Sequence, residues 1–294
     1  MFYGSQFAHV SQCGEEDSYH FISFKKYNAP KHLRSPIIQL LHGIYQNYPL
    51  KAQWISRARI LHSKPLSPAE WGTLKVLGKR AKEIVHTRRE VGDQRSRQSY
   101  VDCIRYAKVL THKELRSCPV IPVKKRPFSS VTEVVQWLDQ KRKQKNDALG
   151  REGQQEQSFP YRRWSGARRV VTALLLDSNL VPLYLAHNQP QISAGWHAEY
   201  CILDALLRTR VEESEDAETL IMISTLKPCK MCAGLWWNYA PCKQLKIYYI
   251  EDDLGRSGQN TVFDHASFAW NNAQKWAKKY GRLIGSTQQK IPLE

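Results

Sequence analysis

His197-Ala198-Glu199, followed thirty-two positions after the histidine by Cys229 in Pro228-Cys229-Lys230-Met231-Cys232, limits what this chain can fold into more than any other feature. A metal ion that does chemistry takes three protein ligands and keeps one position open. One imidazole and two thiols can share an ion only if two separate stretches of chain come within a few ångströms of each other. Cys229 and Cys232 are spaced i and i+3, so both sulfurs can meet on one side of a helical first turn. A helix N-terminus there would favour the thiolate that a metal requires. His197 would then supply the third ligand from a neighbouring helix start, with Glu199 close by as a proton carrier.

Two other chemistries use residues of these types. A C-x-x-C pair also serves redox chemistry, but that use does not call for a His-x-Glu upstream. A structural Cys/Cys/His finger needs a fourth protein ligand, and His187 and His265 lack finger spacing. The catalytic reading therefore names His197, Cys229 and Cys232 as ligands of Zn2+. Two thiolates cancel the charge of the ion and weaken it as a Lewis acid, so a local base is needed, and Glu199 is the candidate.

Charge divides the chain. Its 294 residues carry a formal net charge of +17, but residues 1–128 hold 23 Lys+Arg against 9 Asp+Glu while residues 129–294 hold 21 against 18. An excess concentrated in the first part points to a polyanionic partner, most simply nucleic acid. The seven cysteines are an odd number without a visible secretion signal, so free or metal-bound thiols are expected rather than a disulfide framework. No apolar run reaches the roughly 20 residues of a membrane span. A cytoplasmic location is expected, the alternative being an effector delivered to another cell.

The pattern predicts a basic, mainly helical N-terminal domain over 1–128 and an α/β domain over 129–294. Ser67-Pro68-Ala69-Glu70 reads as a capping box, followed at helical spacing by Trp71, Leu74, Leu77, Ala81, Ile84 and Val85. Further helices are expected over about 50–61 and 97–110. Lys75, Lys79, Lys82, Arg88 and Arg89 lie off the apolar stripe and are candidates for phosphate contact. Pro119, Pro122 and Pro127 around Lys124-Lys125-Arg126 read as a linker, then a helix from about Val131 and a loop over 150–158. From Arg168 strands and helices alternate: strands 170–176 and 180–186 joined at Asp177-Ser178-Asn179, a helix from His197 to Arg208, a strand over 219–226, a helix opened by Cys229, a strand over 244–250 and a helix over about 262–280.

The stretch from Thr225 to Gly234, with His197-Ala198-Glu199, resembles the cytidine deaminase-like superfamily of zinc-dependent deaminases, and within it looks most like the tRNA adenosine deaminase branch. The resemblance covers roughly 165–265. It implies a three-layer α/β/α domain with a central mixed, five-stranded sheet, zinc, Glu199 as proton shuttle, and copies that often associate. Asn188 matches in kind an asparagine that contacts the target nucleoside, and equally suits a turn before Pro190. Lys227, Trp196 and Trp236-Trp237 depart from the tRNA branch; Trp196 and Trp236 could stack on a base or be core.

The leading expectation is hydrolytic deamination of adenine or cytosine in RNA, tRNA included, or in single-stranded DNA. A deaminase of a free nucleoside, nucleotide or pteridine-like metabolite would leave the N-terminal charge unexplained. A zinc-stabilised nucleic-acid-binding protein without turnover would not need Glu199.

Overall fold

Residues 172–176 are all buried, whichever way their side chains point, so this stretch has to lie inside a sheet with cover on both faces. The computed structural model describes residues 6–13, 18–26, 28–48, 58–62, 66–78, 83–86, 107–152, 170–190, 192–209, 217–264, 271, 274–275, 278, 283 and 285–291. In chain order the strands are β1 Phe7–Cys13, β2 Ser18–Phe24, β3 Arg59–His62, β4 Glu83–His86, β5 Lys108–Val109, β6 Ile121–Pro122, β7 Thr172–Asp177, β8 Pro182–His187, β9 Ala217–Leu226, β10 Cys242–Glu251 and β11 Thr287–Lys290. The α-helices are α1 Pro36–Asn47, α2 Pro68–Leu77, α3 Val131–Glu152, α4 Ala198–Thr209 and α5 Lys230–Tyr239.

Six strands form one mixed sheet in the order β11-β10-β9-β7-β8-β6. β9, β10 and β11 run parallel, whereas β7 pairs antiparallel with β8 and β9, and β6 pairs antiparallel with β8. Side-chain alternation sorts the two faces. Leu174, Leu176, Ile221, Ile223 and Ile250 pack with Val134, Val135 and Leu138 of α3. Ala173, Leu175, Leu220, Met222, Leu245 and Ile247 belong to a second cluster with Tyr200 and Leu203 of α4 and Met231 and Trp236 of α5. The expected α/β/α layering is present, with a two-residue edge strand, β6, bringing the sheet to six.

The first part of the chain is helical only in part. β1 and β2 form an antiparallel hairpin, and with β3, β4 and β5 they make a five-stranded sheet in the order β4-β3-β1-β2-β5. The helix expected over 50–61 is corrected at its described end, where Arg59–His62 is strand, and that over 97–110 where Lys108–Val109 is strand; 50–57 and 97–106 lie outside the described residues. The capping-box helix forms but stops at Leu77, because Gly78 ends it and the β-branched pair Ile84-Val85 enters β4 instead. Helix α1 was not anticipated, although Ser35-Pro36 is a start signature: the Ser35 hydroxyl accepts from Ile38 N and Pro36 takes the first turn. α3 runs to Glu152, past the expected loop start at Gly150. Thr261–Asp264 is a turn held by Asp264, so the last expected helix begins later than Val262; Asn271, Gln274, Lys275 and Lys278 are helical.

Apolar packing does not stop at residue 128: Leu40, Leu41 and Leu74 share one cluster with Tyr200, Met231 and Trp236. A polar knot sits within this contact. The Asp204 carboxylate of α4, fully buried, receives His32 Nε2 at 2.9 Å, the Cys118 amide at 3.0 Å and Arg208 Nε at 2.9 Å. Burial alone would raise its pKa, but the His32 contact, the Arg208 charge and the Cys118 N–H together leave it below the usual 3.8. The stabilisation is therefore complete above about pH 4 and declines as pH falls further, because the unfolded chain then takes up the proton first. Asp204→Asn should cost about 3 kcal/mol at neutral pH, and its deficit against wild type should shrink as denaturation is repeated below pH 4; a deficit independent of pH would show that the charge is not what matters.

Candidate active site

Cys229 is the N-cap residue of α5, yet its side chain makes no capping hydrogen bond, so the sulfur is left for another use. The helix's first orphan donor, Lys230 N, is satisfied by Ser257 O at 2.7 Å from the loop after β10. One turn along, Cys232 presents its sulfur on the same side. His197 immediately precedes α4, and its carbonyl accepts from Cys201 N at 3.0 Å. Its Nδ1 lies 3.3 Å from Cys229 Sγ and 3.6 Å from Cys232 Sγ, and the three ligand atoms fall within 4.8 Å of one another. Zn–S bonds of about 2.3 Å and a Zn–N bond of about 2.0–2.1 Å at tetrahedral angles would set nitrogen and sulfur roughly 3.5 Å apart, so this donor set fits that ion.

The electrostatics suit a cation. The Cys229 thiol is held well below its ordinary value, first by the Cys232 thiol that hydrogen-bonds to it and then by His197, while burial pushes Cys232 up. The pair thus carries one thiolate readily. Glu199, in the first turn of α4, is buried, and burial raises its carboxyl. Ser224 of β9 donates to Glu199 Oε1 at 2.8 Å, and Trp236 Nε1 donates to the Glu199 carbonyl at 2.9 Å. A raised carboxyl with one oxygen fixed is suited to taking up and returning a proton.

Trp236 is thereby placed in full burial behind Glu199, and Trp196 is also buried, its indole N–H without a hydrogen-bond partner among the described residues. Asn188 lies at the end of β8, its Oδ1 accepting from Val171 N at 2.8 Å. Lys75 is exposed on α2, its ammonium 5.9 Å from the Trp71 ring centroid; Lys79, Lys82, Arg88 and Arg89 lie outside the described residues. Lys227 pairs with Asp264 at 2.6 Å, and Asp264 also accepts from Thr261 N, which pins the segment after β10 beside the strand end leading to Cys229. Sequence reasoning missed Ser224: an isolated serine in a buried strand carries no signal of its partner.

The helix bearing the two cysteines is held from outside the motif. α2 crosses α5 at a pair of glycines: a Cβ on Gly72 would stand 2.1 Å from Lys230 O, and one on Gly234 would stand 2.4 Å from Pro68 O. Asn238 Oδ1 accepts from Ala69 N at 3.2 Å at the same crossing.

Residues 161–275, about two-fifths of the chain, match the family model described as Bd3614-like deaminase, so the resemblance expected from the motif pair is borne out over that segment. No curated protein matches the sequence. Solved structures similar to the chain include the apo dCMP deaminase from the cyanophage S-TIM5, with 15% identity, 41% of this chain and 79% of that one covered, and a TM-score of 0.25. NE0047 in complex with 2,6-diaminopurine gives 14%, 42%, 63% and 0.28. A structure from studies of A-to-I editing by tRNA:A34 deaminases at the wobble position of transfer RNA gives 17%, 41%, 76% and 0.24.

Because the glycine crossing leaves no room for a methyl group against backbone, Gly234→Ala should destabilise the protein by about 1–3 kcal/mol. Gly43→Ala in α1, where the nearest neighbour is the Leu110 side chain at 3.2 Å, should be close to neutral in the same urea titration. Equal effects of the two would mean that α2 does not press on α5.

Proposed function

We propose that the chain is a zinc-dependent hydrolytic deaminase acting on adenine or cytosine in RNA or single-stranded DNA. The observation that supports this best is the convergence of His197, Cys229 and Cys232 beside the buried carboxyl of Glu199. His197, Cys229 and Cys232 would hold zinc, which when bound lowers the pKa of water at the open position. Glu199 takes a proton from the attacking water, delivers it to a ring nitrogen and protonates the departing amine. A C–O bond forms, the exocyclic C–N bond breaks and ammonia leaves. Ser224 keeps the carboxylate aimed, and Trp236 fixes the backbone it hangs from. Asn188 and Trp196 are proposed to meet the base, with the Trp236 ring closing the wall behind Glu199.

The basic excess of residues 1–128 supports a polymer rather than a free nucleoside, nucleotide or pteridine-like substrate. The division at residue 128 is proposed as a division of charge: Lys75, Lys79, Lys82, Arg88 and Arg89 grip phosphate while residues 129–294 carry the chemistry. No helix among the described residues is long and apolar enough to cross a membrane.

Sequencing RNA and DNA from cells expressing the chain, beside a Glu199→Ala control, tests base and polymer together, because A-to-I and C-to-U leave different changes. Purified protein should carry about one zinc per chain, sharply reduced in Cys229→Ser, Cys232→Ser and His197→Ala. Glu199→Gln should keep the metal and lose at least about a hundredfold in turnover. Full metal content in the ligand variants, or near-normal turnover in Glu199→Gln, would overturn these assignments.

Reversing Lys75, Lys79 and Lys82 to glutamate in the full chain should weaken oligonucleotide binding and flatten its salt dependence, each lost phosphate contact removing about 0.7–0.9 from the log–log slope. An unchanged slope would take α2 and the residues after it out of the binding surface.

A further inference from the structure

His42 of α1 is a titratable group that the reaction does not use, yet it stands against the backbone that leads into the site. Its ring is fully buried and stacked on Tyr200 of α4, with centroids 4.3 Å apart and planes 17° from parallel. Burial pulls its pKa down to about 3, so the imidazole is neutral near pH 7, and neither ring nitrogen has a hydrogen-bond partner among the described residues. What the ring does touch is Gly195. A Cβ built there would lie 2.8 Å from His42 Cε1 and 2.9 Å from Nδ1, closer than real contacts allow. Gly195 O in turn accepts from His197 N at 3.0 Å, closing a three-residue turn whose last member carries the imidazole of the metal cluster. Tyr200, on which the ring is stacked, is one residue after Glu199.

We infer that His42 is a positioning residue for the metal site: its ring, stacked on Tyr200 and close against the Gly195 backbone, sets the turn that aims His197 at Cys229 and Cys232. The inference rests on the zinc reading above and assigns α1 a part in metal affinity that its distance in sequence conceals. A flat, rigid ring fills the gap in one orientation, and glycine at 195 is the one residue that lets backbone approach it so closely. His42 makes no bond to the metal. It acts by shape, and its effect should be reversible by restoring the space it defines.

Cobalt(II) titration of the full-length apoprotein gives the test, read by visible absorption from thiolate–cobalt bonds and by competition with a chelator. Gly195→Ala should weaken cobalt binding by about 10- to 100-fold, the range for groups that orient a metal ligand. His42→Ala should weaken it in the same direction, and the double variant, in which the added methyl enters the vacated space, should bind more tightly than Gly195→Ala alone. Leu33→Ala, in the same core cluster, should lower thermal stability and leave cobalt affinity unchanged. If Gly195→Ala does not fold, His42→Ala against Leu33→Ala carries the comparison. Wild-type affinity in Gly195→Ala, no recovery in the double variant, or equal cobalt affinity in His42→Ala and Leu33→Ala would overturn the positioning role alone. A wild-type chain that takes up no cobalt would overturn the metal reading itself, and this inference with it.

Discussion

One buried carboxylate joins the starts of two helices. Glu70 accepts from Ser67 N at 2.8 Å, completing the capping box of α2, and from the Ser35 hydroxyl at 2.6 Å, the N-cap of α1. Negative charge is favourable at a helix N-terminus, and here a single group serves two of them while almost fully removed from water. α1 and α2 are thereby fixed to each other. α2 then lies across α5 at the glycine crossing, and α1 lies behind the turn before α4. The two helices that open on the His197, Cys229 and Cys232 cluster are thus each braced by one of the two helices that Glu70 ties.

The C-terminal part was readable because its signals are local and redundant. A motif at each of two helix starts, the short apolar runs of β7 and β9, and Asp177-Ser178-Asn179 between β7 and β8 all agree, and no long-range information was needed to place them. The earlier part offered weaker signals. Ile60-Leu61 and Ile84-Val85 are short apolar pairs that fit a helical stripe as well as a strand, and only the pairing of β3 with β1 and of β4 with β3 decides between them. The hairpin of β1 and β2 has no Asn-Gly or Asp-Gly turn to announce it.

Among site residues the same line separates what could be read from what could not. His197, Glu199, Cys229 and Cys232 are set by spacing within the chain. Ser224, His42, Gly72 and Gly195 matter through neighbours far away in sequence: a serine is informative only once a carboxylate is seen 2.8 Å from it, and a glycine only once something is seen pressed against it. Trp236 shows the reverse case, a conspicuous aromatic whose indole N–H is spent on holding the Glu199 backbone.

The crossing of Gly72 over Lys230 joins points roughly 160 residues apart, and closing so long a loop delays a contact far more than it weakens it. During synthesis α2 emerges long before α5 exists. It can cap itself through Ser67 and Glu70 at once, but the face around Gly72 has nothing to meet until nearly four-fifths of the chain has been made. The cysteine-bearing helix therefore arrives at a surface already prepared for it, and the order of translation is also the order in which the site can be assembled.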